Sequence, residues 1–231
     1  MALLGAIEAG GTKFVVAVAE VENPDVVVAR ESFPTLDGAG TIAQVIDFFD
    51  RYDDIAAIGI AAFGPIDINP DSRTYGYVLD TPKRGWSGYD FLGAMKAWRD
   101  IPYFWTTDVN GAGWAEYVSG AAKDVENVVY LTVGTGVGAG IIQHGQLLSG
   151  NSHPEAGHIM MRKHPQDSYV GHCPFHGDNC LEGLAAGPAI EDRWQESAKS
   201  LPDDHLAWEI EAYYLAQAAV TYTVILRPDR I

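Results

Sequence analysis

The chain has 231 residues, 15 Lys+Arg against 31 Asp+Glu for a formal charge of −16, and 47% hydrophobic against 20% charged residues. That balance belongs to a globular chain able to bury one large core or two smaller ones, and so acidic a surface repels nucleic-acid phosphates and anionic lipid alike. No apolar run approaches the roughly 20 residues that span a bilayer, and the opening MALLGAIEAGGTK lacks the basic region of a signal peptide. The expectation is a cytoplasmic protein with neither nucleic acid nor membrane as partner.

Leu3–Ile7 and Phe14–Ala19 are predicted strands of a β-hairpin turning through Ala9-Gly10-Gly11-Thr12. Residues 41–51 carry apolar residues at helical spacing, with Thr41 as N-cap. Ile55–Ala62 is wholly apolar, which predicts a strand buried on both faces, and it breaks at Phe63-Gly64-Pro65-Ile66-Asp67. Residues 90–99 read as helix, Pro102–Thr106 as strand, and 111–122 as helix after Thr107-Asp108-Val109-Asn110. A second hairpin follows, Val128–Val133 returning as Gly140–Gln143 around Gly134-Thr135-Gly136-Val137-Gly138. Residues 153–182 lack periodicity and read as a structured loop. Gly187-Pro188 opens a helix to about 199, with Pro in the favoured first turn. Residues 203–226 form a long helix with Leu206, Ile210, Tyr213, Tyr214, Ala218 and Ile225 near one face, and Ile231 reads as the start of a further strand. Mixed strands and helices make the class α/β, and the two glycine-rich hairpins suggest a duplicated lobe.

Three groups of residues carry chemistry. The turns Gly10-Gly11-Thr12-Lys13 and Gly134-Thr135-Gly136 can converge backbone N–H groups on an anion, with Thr hydroxyls as further donors. Neither has the Walker or dinucleotide spacing, and glycine-rich hairpins without a ligand are the plain alternative. Asp108, at a strand end before a helix, suits a general base toward a hydroxyl attacking phosphorus, or else a helix cap. Asn110 suits a sugar hydroxyl, or a turn. Five of the seven histidines share one stretch with both cysteines, and His158, Cys173, His176 and Cys180 space as H-x14-C-x2-H-x3-C. Two imidazoles and two thiols suit tetrahedral zinc in a closed, structural shell, with His172 as a competing ligand. Inert thiols among surface histidines are the alternative. Glu155 and Glu182 flank this segment as carboxylates for sugar hydroxyls, or as solvated acids.

Taken together, these motifs resemble the sugar kinases of the "repressor, ORF, kinase" (ROK) family, and within it the bacterial fructokinase branch. The resemblance runs through Ile7–Phe14, Phe63–Asp67, Thr81-Pro82-Lys83-Arg84-Gly85-Trp86, Thr107–Asn110 and Gly134–Gly140. It continues through His153-Pro154-Glu155-Ala156-Gly157-His158, Cys173-Pro174-Phe175-His176-Gly177-Asp178 and Cys180-Leu181-Glu182-Gly183. Two departures are Glu8, where the wider fold has Asp, and Asn179, which lengthens the cysteine loop by one residue. The resemblance implies an actin-like, ribonuclease-H-type fold of two lobes, residues 1–108 and 109–231, with the second lobe incomplete. It also implies further chain after Ile231, including a glycine-rich strand-turn that holds adenosine. The implied activity is transfer of phosphate from ATP to a hexose, foremost D-fructose at O6. Glucose, mannose, an N-acylhexosamine or a non-catalytic sugar-binding form are the alternatives. By position, Asp108 is the base, and Asn110, Glu155, His158 and Glu182 contact sugar. Gly10, Gly11, Thr12, Lys13, Gly134, Thr135, Gly136 and Pro188 lie at the nucleotide. His158, Cys173, His176 and Cys180 hold structural Zn²⁺, and Mg²⁺ accompanies ATP. A homodimer is expected from the relatives.

Overall fold

Alternating apolar residues draw Leu3–Ala9 (β1) and Lys13–Glu20 (β2) into an antiparallel hairpin in which Ile7 faces Val16 and Ala9 faces Phe14. In the computed structural model, which describes residues 2–176 and 179–231, this hairpin seeds the sheet of the first of two compact units. Gly177 and Asp178 of the cysteine-loop motif lie outside the described residues. The first unit runs to Gly111 and also takes Gly150–His153; the second comprises Ala112–Ser149 and Pro154–Ile231.

In the first unit, β3 (Val27–Pro34) pairs with β2, while β4 (Ile55–Ala62) and β5 (Tyr103–Thr107) add in parallel beyond β1. The sheet order is β3-β2-β1-β4-β5. Helices α1 (Gly38–Phe49) and α2 (Phe91–Trp98) bury Val45, Phe48, Phe91 and Met95 in the same core as Ile7, Phe14, Ile58 and Ile60. Trp86 is fully buried among Phe14, Phe63, Tyr89 and Phe91, and its indole N–H donates to Leu36 O at 2.7 Å. A ring so enclosed, with its polar atom satisfied, pins the loop before α2 to the sheet.

Several expectations are corrected here. β3 is an additional strand, with residues too exposed for their alternation to stand out. The N-cap of α1 is Asp37, whose Oδ1 accepts from Gly40 N–H at 2.7 Å. Thr41 lies inside the first turn, its hydroxyl accepting from Leu36 N–H at 2.9 Å. β4 is deeply buried on one face only, through Ile55, Ile58, Ile60 and Ala62. Its other face presents small residues, Ala57 and Gly59, next to the 70% exposed Phe104 of β5.

In the second unit β6 (Val128–Val133), β7 (Val137–Gln143) and β8 (Gln146–Leu147) form an antiparallel sheet. Helix α3 (Asp108–Val118) begins in the first unit and ends in the second. Short α4 (Leu181–Ala185) and α5 (Gly187–Trp194) precede the long α6 (Leu206–Leu226). α6 buries Ile210, Tyr214, Ala218 and Tyr222, an i, i+4 stripe, against Val129, Ala139, Ile141 and Leu184. Ile225, expected on that stripe, is 69% exposed on the last turn. After α6 the chain pairs in parallel beside β6, Val129 N–H donating to Arg230 O at 3.0 Å.

Glu211 on α6 is buried, and neither carboxylate oxygen has a hydrogen-bond partner. Burial pushes its pKa from 4.5 up to about 7, against a smaller downward pull from Arg193. The unfolded chain releases this proton at lower pH than the folded chain, so its contribution to stability is full at low pH and is lost as pH rises toward about 7. Glu211→Gln should therefore be more stable than the parent at pH 8, by about 1–3 kcal/mol. The difference should narrow toward pH 5 in paired thermal melts.

Candidate active site and metal centre

In the first unit, parallel pairing sets Ala9, Ala62 and Thr107 level across β1, β4 and β5. The first glycine turn, the Phe63–Asp67 loop and Asp108 therefore leave the sheet together at its carboxyl edge, where open α/β sheets bind ligands. Gly10 N–H donates to Lys13 O at 3.0 Å, and a Cβ on Gly10 would stand 2.7 Å from that oxygen, so the turn needs glycine there. Gly11 faces open space. Thr35, which sequence reasoning did not single out, braces the turn: its hydroxyl donates to Gly10 O at 2.7 Å and its N–H to Thr12 O at 2.9 Å. Thr12 and Lys13 remain exposed.

Asp108 has two readings from sequence, base or cap, and the hydrogen bonds separate them. The hydroxyl of Thr107 accepts from Asn110 N–H at 3.2 Å, the reach of an N-capping side chain. Asp108 Oδ1 accepts from the adjoining Val109 N–H at 2.8 Å, and the residue stays open to solvent. Crowding by protein nonetheless desolvates its carboxyl and raises the pKa above the ordinary value; the Glu8 charge acts the same way, while the Val109 N–H and His153 oppose it. Asn110 is buried, its amide nitrogen donating to Thr106 Oγ1 at 3.0 Å.

In the second unit the Gly134–Val137 turn is tied at three points. Gly187 N–H donates to Gly134 O at 2.8 Å, which seats the start of α5 and its Pro188 against the turn. Val137 N–H donates to Glu182 Oε2 at 3.0 Å. Gly157 lies so close to Val137 that a Cβ would meet its carbonyl oxygen at 1.8 Å. Thr135 stays exposed at the tip.

The four residues at zinc-like spacing do come together. One ligand atom from each of His158, Cys173, His176 and Cys180 lies within 4.8 Å of the others. Cys173 Sγ is 3.5 Å from His176 Nδ1 and 3.9 Å from His158 Nδ1, and Cys180 Sγ is 3.8 Å from His158 Nδ1. Tetrahedral bonds of about 2.3 Å to sulfur and 2.0–2.1 Å to nitrogen imply nitrogen–sulfur edges of roughly 3.5 Å, so the donors fit a metal ion. A short ladder makes this possible: Met161 N–H donates to Asn179 O at 2.6 Å and Leu181 N–H to Ile159 O at 2.9 Å. The extra Asn179 is absorbed in that ladder, and Cys180 caps α4, accepting from Gly183 N–H at 3.4 Å. Burial pushes the Cys180 thiol up to about 11, so metal binding there has to displace its proton. His172 lies outside the cluster among the described residues. Glu182 Oε1 lies 3.9 Å from His158 Nε2, whereas Glu155 is exposed at the start of the 3-10 turn Ala156–His158.

A second anchor, absent from the sequence expectations, holds the same loop. Asp167 and Arg193 form a buried ion pair, with Nε–Oδ1 at 3.1 Å and a terminal nitrogen–Oδ2 at 3.0 Å, and Tyr214 donates to Oδ2 at 2.6 Å. Burial works to raise the Asp167 pKa, but Tyr214, the Tyr169 N–H and Arg193 together hold it below the usual carboxylate value. Its stabilisation is therefore present at neutral pH and lost as pH falls through that lowered value. Asp167→Asn strands a buried guanidinium, so a loss of about 3–5 kcal/mol is expected in urea unfolding at pH 7.

Two units, each with its own sheet and its own glycine turn, are the architecture of the actin-like class of α/β proteins. The ROK family model matches residues 4–231, and the chain belongs to the ROK family. Similar relatives are the fructokinase of Pediococcus pentosaceus, 48% identical over 99% of this chain and 78% of its own length, and that of Streptococcus mutans, 46% identical with the same coverage. The crystal structure of the ROK hexokinase from Thermus thermophilus superposes with a TM-score of 0.79 at 23% identity, covering 98% of this chain and 79% of that one.

Proposed function

We propose that this chain is an ATP-dependent fructokinase, transferring the terminal phosphate of ATP to O6 of D-fructose. The observation that carries the reading is the freedom of Asp108. Thr107 takes over the capping of α3, and a solvent-open carboxylate is left at the carboxyl edge of the sheet, level with the first glycine turn. The choice of fructose rests on similarity to relatives named fructokinase at 46–48% identity.

In this reading Asp108 accepts the proton of the sugar hydroxyl as that oxygen attacks phosphorus. Its raised pKa makes it a stronger base than an ordinary aspartate. Asn110, Glu155, His158 and Glu182 hold the sugar hydroxyls. Gly10, Gly11, Thr12 and Lys13, with Gly134, Thr135, Gly136 and Pro188, hold the nucleotide phosphates through backbone N–H groups and hydroxyls. Mg²⁺ bound with ATP supplies charge neutralisation at the phosphates. Zn²⁺ suits the His158, Cys173, His176 and Cys180 donor set; four protein ligands close its shell, so its role is structural. In this reading the chain works in the cytoplasm as a homodimer, with its membership of the family as the support.

Asp108→Asn should lower turnover by about 10²–10⁴-fold. Fructose affinity, measured by calorimetry, should stay within a few-fold of the parent. Near-normal turnover in that variant would remove Asp108 from the role of base.

A further inference from the structure

The first glycine turn has a choice of orientation that its own residues leave open. The peptide unit between Gly10 and Gly11 is flanked by the torsions of two glycines, so the whole planar unit can turn over, exchanging the directions of its C=O and N–H, with no Cβ to oppose it. One orientation offers an anion the Gly11 N–H; the other offers the Gly10 carbonyl oxygen, which repels it. The hydroxyl of Thr35 donates to Gly10 O at 2.7 Å, so the Gly11 N–H, trans to that carbonyl, points away from Thr35. Beyond its chain neighbours, Gly11 has nothing within 4 Å of where a Cβ would stand. The next carbonyl but one, Thr12 O, accepts from Thr35 N–H at 2.9 Å. Thr35 itself has a firm base. Leu36 N–H donates to Thr41 Oγ1 at 2.9 Å, Leu36 O accepts from the Trp86 indole at 2.7 Å, and Gly38 N–H donates to Gly85 O at 3.2 Å.

From this geometry we propose that Thr35 is a positioning residue whose hydroxyl selects the phosphate-accepting orientation of the Gly10–Gly11 peptide. Its backbone bond to Thr12 holds the end of the turn whatever side chain it carries; the hydroxyl alone acts on the peptide that can turn over. Without it the Gly10 carbonyl loses this donor and the inverted form gains population. A nucleotide phosphate then meets the Gly11 N–H for a smaller fraction of the time, and apparent nucleotide affinity falls by that fraction. The sugar, held by other groups, is untouched. The inference rests on the assignment of the first glycine turn to the nucleotide phosphates proposed above, and it gives that site a residue that acts through the peptide it holds.

The test compares the 231-residue chain with Thr35→Val, which keeps the side-chain shape and the backbone bond but has no hydroxyl, and with Thr35→Ser, which keeps the hydroxyl. Thr35→Val should raise the KM for Mg·ATP about five- to tenfold, the effect of one ordinary hydrogen bond. Its kcat and its KM for fructose should stay within about twofold of the parent, because saturating nucleotide restores the competent orientation. Thr35→Ser should return the KM for Mg·ATP to near the parent value. The Gly11 amide resonance gives a readout independent of turnover: Mg·ATP without sugar should shift it at lower concentration in the parent and Thr35→Ser than in Thr35→Val. Unchanged amide resonances of Ile58 and Ile60 in β4 report that the variants are folded, and Thr35→Ala makes the same comparison if Thr35→Val does not fold. Equal dependence on Mg·ATP in parent and Thr35→Val overturns the proposal, as does an equal rise in both KM values or a parent Gly11 amide indifferent to Mg·ATP. Failure of the kinase reading alone is separately visible, as absence of ADP formation by a chain whose Gly11 amide still follows Mg·ATP in a hydroxyl-dependent way.

Discussion

Residues 153–180 must hold a fixed shape with almost no regular structure, and the second unit depends on how they do so. Among the described residues the segment has one 3-10 turn and buries little apolar surface, chiefly Ala156, Met161, Cys173 and Cys180. Ordering each residue costs about 1–2 kcal/mol of backbone entropy, which so small a core does not offset. The fold answers with point attachments. Four metal-ligand atoms gather at one end, the Asp167–Arg193–Tyr214 network clamps the middle to α5 and α6, and Gly157 locks the start onto β7.

Those attachments serve the glycine turn as much as the loop. Glycine at 134 and 136 makes the β6–β7 turn able to present N–H groups to an anion, but the same freedom leaves it without a preferred shape. Gly187, Gly157 and Glu182 supply the shape from outside. The first turn solves the same problem differently, through Thr35 on the chain leaving β3. Two turns of similar composition thus owe their order to unrelated neighbours.

How much of this was legible in the sequence follows from which forces leave a pattern. β4 and β6 have the bounds their apolar runs indicate, and the four His/Cys residues meet as their spacing suggests. β3 left little trace, because VVARESFP is mostly exposed along a sheet edge. The cap of α1 went to Asp37 instead of Thr41, and capping of α3 to Thr107, since several residues near a helix start can accept a hydrogen bond and only coordinates choose between them. Glu211 and the Asp167–Arg193 pair read as ordinary surface charges in an acidic chain; burial alone sets them apart, and burial of single polar residues has no period. The hydrogen bond from Val137 N–H to Glu182 is likewise a matter of 3 Å geometry between residues 45 positions apart.

The central claim is that the carboxyl edge of the first sheet and the glycine turns serve phosphate transfer to fructose. It is tested most directly by ADP formation from Mg·ATP with fructose, glucose, mannose and N-acetylmannosamine offered separately. The account expects turnover on fructose well above the other three, and its loss when Asp108 is replaced by Asn. Preference for another hexose, or fructose turnover that survives that replacement, would contradict it.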